Sequence, residues 1–180
     1  KVQRDGKEIW VMSLAVKDKI SFYTSPNLLD WTHESNFSPD WAAYGGVWEC
    51  PDLFPMMNQD GEQKWVLLVS INPGGPNGGS ATQYFIGDFD GRSFITTQDK
   101  IKWLDHGTDN YAGVTWSNVP KSDGRKIFIG WMSNWNYANV VPTQVWRSAM
   151  TFPRALSLYQ YDDEPWIASS PVKEMEQLRE

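Results

Sequence analysis

The sequence predicts an all-β protein built of antiparallel sheets, and three observations carry that prediction. Short segments rich in β-branched and aromatic residues recur along the 180-residue chain: "EIWVMSLAV", "KISFYTS", "KWVLLVSI", "TQYFIGDF", "SFITT", "AGVTWSNV", "KIFIGWMS" and "SAMTFPRALSLY". Between them stand "RDGKE", "SPNLLD", "NQDGEQ", "DFDGRS" and "KSDGRK", turn signals in which Asp-Gly pairs supply the positive φ of tight hairpins. An aromatic-led strand follows an Asp-Gly turn three times, with its marker residue at Trp10, Trp65 and Phe128, 55 and then 63 residues apart. Such spacing exceeds the roughly 40 to 50 residues of common propeller repeats, so four-stranded blades fit best if inserted loops lengthen them. A β-sandwich is the competing architecture.

Taken in order, the first two segments read as a hairpin, and "WVLLVSI" (residues 65–71) is the longest clear apolar run. A run of that length suits a buried strand and falls far short of the roughly 20 residues that cross a bilayer. Two stretches look like linkers, "SINPGGPNGGSATQ" (70–83) and "NWNYANVVPTQVW" (134–146); long irregular loops of this kind often carry function. Within the first, "GGPNGG" lacks the Lys-Ser/Thr ending and the following helix of a phosphate-cradling loop, so it reads as a turn. Helix signals are nearly absent until "SPVKEMEQLRE", where Ser170 can cap and Pro171 can open a short helix.

Composition narrows the function. With 22 Asp and Glu against 16 Lys and Arg, the net charge of -6 and the lack of a basic run argue against nucleic acid as a partner. A single Cys excludes an internal disulfide framework and a Cys-based zinc site. His33 and His106 stand apart from any other metal-ligand type and are assigned to surface or turn roles, so no metal or other cofactor is expected. Eleven Trp, seven Tyr and eight Phe are an unusual load. Aromatics at this density fill cores and strands, and polar-rimmed Trp faces also stack on sugar rings.

The stretch "VWECPDLF" (47–54) sets one carboxylate, Glu49, inside an aromatic and aliphatic run beside Cys50 and Pro51. A Glu so placed either finds a partner or has its ionised form disfavoured, which makes it a proton donor near neutral pH. The alternative is a Glu held by a salt bridge in a loop.

The segments "WECPDLF" (48–54), "KISFYTSPNLLDW" (19–31), "WVLLVSINPGGPNGGSATQYFIGDFDG" (65–91), "DNYAGVTW" (109–116) and "GWMSNWNYANVVPTQVWRSAMTFPRALSL" (130–158) together resemble the catalytic propeller of glycoside hydrolase family 32, the invertase, inulinase and levanase family. The likeness runs over nearly the whole chain. It implies a five-bladed β-propeller, normally followed by a β-sandwich, that hydrolyses fructosides with retention through two carboxylates and a third, stabilising acid. Glu49, in the Glu-Cys-Pro triplet, would be the general acid/base, protonating the leaving oxygen and then deprotonating water, with Val47, Trp48, Leu53 and Phe54 supplying partial desolvation.

Other residues follow from the same resemblance. Trp135 matches a position lining the fructose pocket, and Asn134 and Tyr137 lie in the same segment, within reach of sugar hydroxyls. Asp52 would bind substrate or hold Glu49 and its neighbours by hydrogen bonds; a plain turn Asp is the alternative. Cys50 resembles a buried cysteine that tunes the surroundings of Glu49, Asp109 would hold neighbouring strands through backbone hydrogen bonds, and Arg147 would form a buried ion pair.

The family's nucleophile lies in an Asn-Asp-Pro motif that occurs nowhere in this chain, and its stabilising acid in an Arg-Asp-Pro motif usually followed by Lys. Lys1 looks like that following residue. The expectation is therefore a partial propeller over residues 1–165, with 166–180 as the end of the propeller and its exit toward a β-sandwich, lacking the first blade or more and two of the three acids. Its partners would be sucrose, inulin or levan and the missing blades of the same polypeptide, its place outside the membrane: secreted, cell-surface or periplasmic. Without a nucleophile the piece alone would be inactive. A fructosyltransferase, a carbohydrate-binding propeller without catalysis and a structural half-propeller completed by a second chain are the alternatives.

Overall fold

In the computed structural model, which describes residues 1–179, the chain forms twelve strands in three four-stranded antiparallel sheets. The first holds β1 (Val2–Arg4), β2 (Lys7–Val16), β3 (Lys19–Ser25) and β4 (Thr32–Phe37). The second holds β5 (Val47–Met57), β6 (Gln63–Asn72), β7 (Ala81–Phe89) and β8 (Phe94–Ile95), and the third β9 (Tyr111–Thr115), β10 (Lys126–Trp131), β11 (Arg154–Tyr161) and β12 (Glu164–Pro171). Each sheet is a meander in which neighbours in sequence pair in space. Trp10, Trp65 and Phe128 all fall on the second strand of their sheet, so the sequence repeat is the repeat of the sheets.

The middle sheet is packed on both faces. Along β6, Leu67, Val69 and Ile71 join a core shared with the first sheet through Ile20, Phe22 and Phe37. Val66 and Leu68 point the other way, into a core shared with the third sheet through Phe128, Leu156 and Leu158. All five of those β6 side chains are fully buried, which is why the run reads as continuous hydrophobicity rather than alternation. The sheets converge on a cavity of about 350 Å³ lined by Val11, Ser13, Asp52, Trp65, Thr115 and Trp116.

Several expectations are corrected. Strands β1, β4, β5 and β12 are absent from the segments read off the sequence, and β5 is the longest in the chain at 11 residues. Its prolines, Pro51 and Pro55, disguise it, yet β5 pairs only with β6, and an edge strand tolerates residues without an N–H. The linker assigned to 70–83 shrinks to the turn at 73–80, because Ser70, Ile71 and Asn72 end β6 and Ala81, Thr82 and Gln83 begin β7. "GGPNGG" is indeed a turn, closed by Gly75 N–H to the Gly79 carbonyl and Gly78 N–H to that of Gly75, each at 3.0 Å. Pro171 ends β12 rather than opening a helix; a 3-10 helix follows at Lys173–Leu178 with Val172 at its N-cap and no side-chain cap from Ser170. The third sheet runs through Pro171. Among the described residues no helix is long and apolar enough to cross a membrane.

Candidate active site

The central question is how Glu49 sits in an apolar strand. Before the break in β5 the side chains alternate as a strand demands: Trp48 turns into the first interface, where it is 2% exposed and its indole N–H reaches the Ala43 carbonyl at 3.0 Å. Glu49 turns the opposite way, toward the third sheet. The register then slips. Glu49 faces Ser70 and Asp52 faces Leu68, so three steps on β5 match two on β6. This is a β-bulge, and Cys50 takes the left-handed conformation at φ 48° that it requires. Because of the extra residue, Glu49 and Asp52 both reach β9, whereas a regular strand would send residues three apart to opposite faces.

On β9 a second bulge answers the first. Its register against β10 shifts between Ile129 and Trp131, with Tyr111 opposite Trp131 and Val114 opposite Ile129, and Ala112 sits at φ 51°. The Tyr111 hydroxyl donates to Glu49 Oε2. Burial, and then the bond to Glu49, hold that phenol well above its ordinary pKa, so it stays protonated and remains a donor through the physiological range. Further along, Asp52 Oδ2 accepts from Thr115 N–H at 2.7 Å and from Thr115 Oγ1 at 2.8 Å. Gly113 between these contacts leaves room for Phe128: a Cβ there would stand 2.1 Å from its ring.

From Tyr111 an aromatic path leads outward. Its ring lies 6.2 Å from that of Trp131, which lies 5.1 Å from that of Trp135. Trp135 is 48% exposed and so presents an indole to solvent. It is held by its own N–H, bonded to Ser80 Oγ at 3.1 Å. Asn134 is 1% exposed. Its amide donates to the Thr108 carbonyl at 2.9 Å and accepts from the N–H of Asn136 at 3.0 Å and of Ser80 at 3.3 Å. Those bonds staple the 134–136 segment to the β6–β7 turn, and Gly79 makes the approach possible, since a Cβ there would stand 2.1 Å from Asn134 Oδ1. Tyr137 lies in the same turn, partly exposed.

The remaining expected residues lie differently from the sequence reading. Cys50 is exposed rather than buried, because the bulge swings it out of the strand; partial desolvation, and then the charge of Glu49, still raise its pKa. Asp109 does not tie strands together: its Oδ1 is buried without a hydrogen-bond partner. Arg147 forms no buried ion pair; it is exposed on a surface loop and donates to the Asn139 carbonyl at 3.1 Å. His33 lies on β4 against Tyr23, and His106 is exposed. Among the described residues no group of three His, Cys, Asp or Glu could hold a metal ion. Tyr111, Trp131 and Thr115 were not singled out from sequence. The signal was present in "DNYAGVTW", but only the pairing of β9 with the Glu49 strand gives it meaning.

Comparison with known proteins shows which family shares this fold. The family model for the glycosyl hydrolases family 32 N-terminal domain matches residues 1–171. The chain is 49% identical over 174 residues to levanase of Bacillus subtilis, covering 94% of this chain and 26% of that protein. Among solved structures, exo-inulinase from Aspergillus awamori superposes with a TM-score of 0.81 at 39% identity, and fructofuranosidase from Schwanniomyces occidentalis complexed with fructose with 0.82 at 36%; each comparison covers 91% of this chain and 33% of the other. The chain spans about a quarter to a third of the length of the relatives it matches.

Proposed function

The chain belongs to glycosyl hydrolase family 32, and from that premise we propose that it supplies the acid/base side of a retaining β-fructosidase site, with Glu49 as the proton donor. The observation that carries the reading is the hydrogen bond from Tyr111 to Glu49 across two sheets, made possible by a bulge in each strand. The bond occupies one carboxyl oxygen and leaves the other for the glycosidic oxygen of a substrate.

In the first step the Glu49 proton passes to the leaving oxygen as its bond to the fructosyl C2 breaks and a carboxylate nucleophile bonds to C2. In the second, Glu49 as carboxylate takes a proton from water while the water oxygen bonds to C2 and releases the nucleophile. The nucleophile and a third acid would come from further sequence, in which these three sheets are three of five blades, followed by a β-sandwich. The substrates would be sucrose, inulin or levan, in keeping with the names of the similar levanase, exo-inulinase and invertase. Secretion, or display at the cell surface or in the periplasm, fits relatives named as extracellular. Trp135 and Trp131 would stack on sugar; Asn134, saturated by backbone bonds, would set the Trp135 loop.

Glu49→Gln in the complete polypeptide tests the assignment. Fructose release should fall roughly 10² to 10⁴-fold, the usual share of a general acid; a variant working at near the parent rate would refute it.

A further inference from the structure

Two hydrogen-bonded bridges cross from β5 to β9, and they sit on either side of both bulges. Glu49 meets Tyr111 at one end, and Asp52 meets Thr115 at the other. Two residues on β5 and three on β9 lie between the bridges, with a left-handed residue, Cys50 or Ala112, among them on each strand. The β5 ladder is broken between Glu49 and Asp52, so the backbone carrying Glu49 is fixed less by β6 there than an unbroken strand would be. Left-handed non-glycine residues are strained and persist only where their surroundings hold them.

Asp52 takes two donors from one residue, the Thr115 N–H and its hydroxyl, on a single carboxylate oxygen. That arrangement pins the downstream end of the β5 bulge to β9. Asp52 and Thr115 line the cavity where the sheets converge.

We propose that Thr115, through Asp52, is a positioning residue for the proton donor: the pair fixes the β5 bulge so that Glu49 stands within reach of both Tyr111 and the glycosidic oxygen. This inference rests on the reading of Glu49 as the acid/base. Thr115 touches neither substrate nor the reacting atoms. Its effect is on how well Glu49 is aimed, and in kcat/KM, which reports the first, bond-breaking step, that effect is confined to the proton that must reach the leaving oxygen; the later deprotonation of water is common to every substrate.

That confinement gives the test. Thr115→Val keeps the shape and the backbone N–H but removes the hydroxyl donor; Thr115→Ser restores the donor without the methyl group. Both would be compared with the parent, in the complete polypeptide, on sucrose and on β-fructofuranosyl fluoride. Fluoride leaves as the anion and needs no protonation to depart, whereas the glucosyl oxygen of sucrose does. The expected result is a kcat/KM on sucrose lowered roughly tenfold for Thr115→Val, a kcat/KM on the fluoride within about twofold, and Thr115→Ser close to the parent on both.

Equal losses on the two substrates would overturn the proposal, since a general disturbance of the site cannot tell leaving groups apart. So would an unchanged kcat/KM on sucrose. Failure of the underlying reading looks different: Glu49→Gln would then hydrolyse sucrose at the parent rate, or lose as much kcat/KM on the fluoride as on sucrose, whatever Thr115→Val does. If Thr115→Val folds poorly, Asp52→Asn, which keeps an acceptor for Thr115 but removes the charge, carries the same comparison with the same expected split.

Discussion

The two interfaces between neighbouring sheets are built of different material. The first is sealed by aromatic rings in a network: Phe37 lies 4.9 Å from Phe85 and 5.1 Å from Phe94, Phe22 5.2 Å from Phe89, and Trp48 5.9 Å from Phe85, mostly tilted or edge-on. Its charged contacts stay at the rim, where Glu34 bonds Thr24 at 2.5 Å and Arg4 at 3.0 Å, with Arg92 of the β7–β8 turn 3.6 Å away. The second has an aliphatic and aromatic core as well, but polar bridges pass straight through it. Besides the two from β5 to β9, Lys102, 2% exposed, donates to the Pro165 carbonyl at 2.7 Å and meets Glu164 at 3.1 Å, and burial lowers its pKa against the pull of that carboxylate.

The difference teaches where chemistry can be placed. An interface sealed by rings fixes the sheets against each other, and the polar groups buried in it, such as the Gln83 amide on Ala43 and the Trp48 N–H on the Lys17 carbonyl, are spent on backbone atoms. One crossed by hydrogen bonds can aim a carboxylate, because each bridge also orients what it holds. β5 belongs to both: Trp48 anchors it in the first interface so that Glu49, its neighbour, can be presented in the second.

This division of labour can be broken at its strongest point with Phe85→Ala. Phe85 is 1% exposed and touches Phe37, Trp41 and Trp48, so the substitution should cost roughly 3 to 5 kcal/mol in urea unfolding. In the complete polypeptide, under the proposed function, fructose release per folded molecule should stay within about twofold; a hundredfold loss in the folded fraction would show that the first interface also aims the site.

Glu34→Gln sharpens the comparison at the rim of the same interface. The Thr24 hydroxyl first, and Arg4 next, hold the Glu34 carboxyl below its ordinary value of 4.5 against partial burial. A depressed carboxylate stabilises above the unfolded value and loses that contribution as pH falls through the folded one. The variant should therefore be roughly 1 to 2 kcal/mol less stable at pH 7, and the gap should close as pH drops below about 4.5. A gap that stays constant down to pH 3 would mean the charge contributes nothing.

Trp135→Ala probes the outer end of the second interface and should have the smallest effect. Stacking is worth about 0.5 to 1.5 kcal/mol, so KM for sucrose or inulin should rise roughly two- to tenfold, with stability within about 0.5 kcal/mol of the parent, as for an exposed side chain. A large loss of stability with unchanged KM would reassign the indole to packing.

The sequence by itself determined the all-β class, the threefold repeat, the buried β6 strand and the suspicion attached to Glu49. All of these are local: β-branched and aromatic runs, Asp-Gly turns and a carboxylate in an apolar stretch can be read without knowing what lies opposite. Even the turn between β11 and β12, built on Asp162 and Asp163 at φ 54° and 58°, shows where local reading falters, since both residues are left-handed without a glycine. Only the tertiary structure decided which strands lie side by side, and so that Tyr111 partners Glu49, that Thr115 partners Asp52, that Cys50 is turned outward and that Asn134 is spent on backbone atoms. The physical reason is the bulge. One extra residue reverses the side-chain alternation of β5, and whether a strand bulges depends on its register with its neighbour, which no window of its own sequence contains.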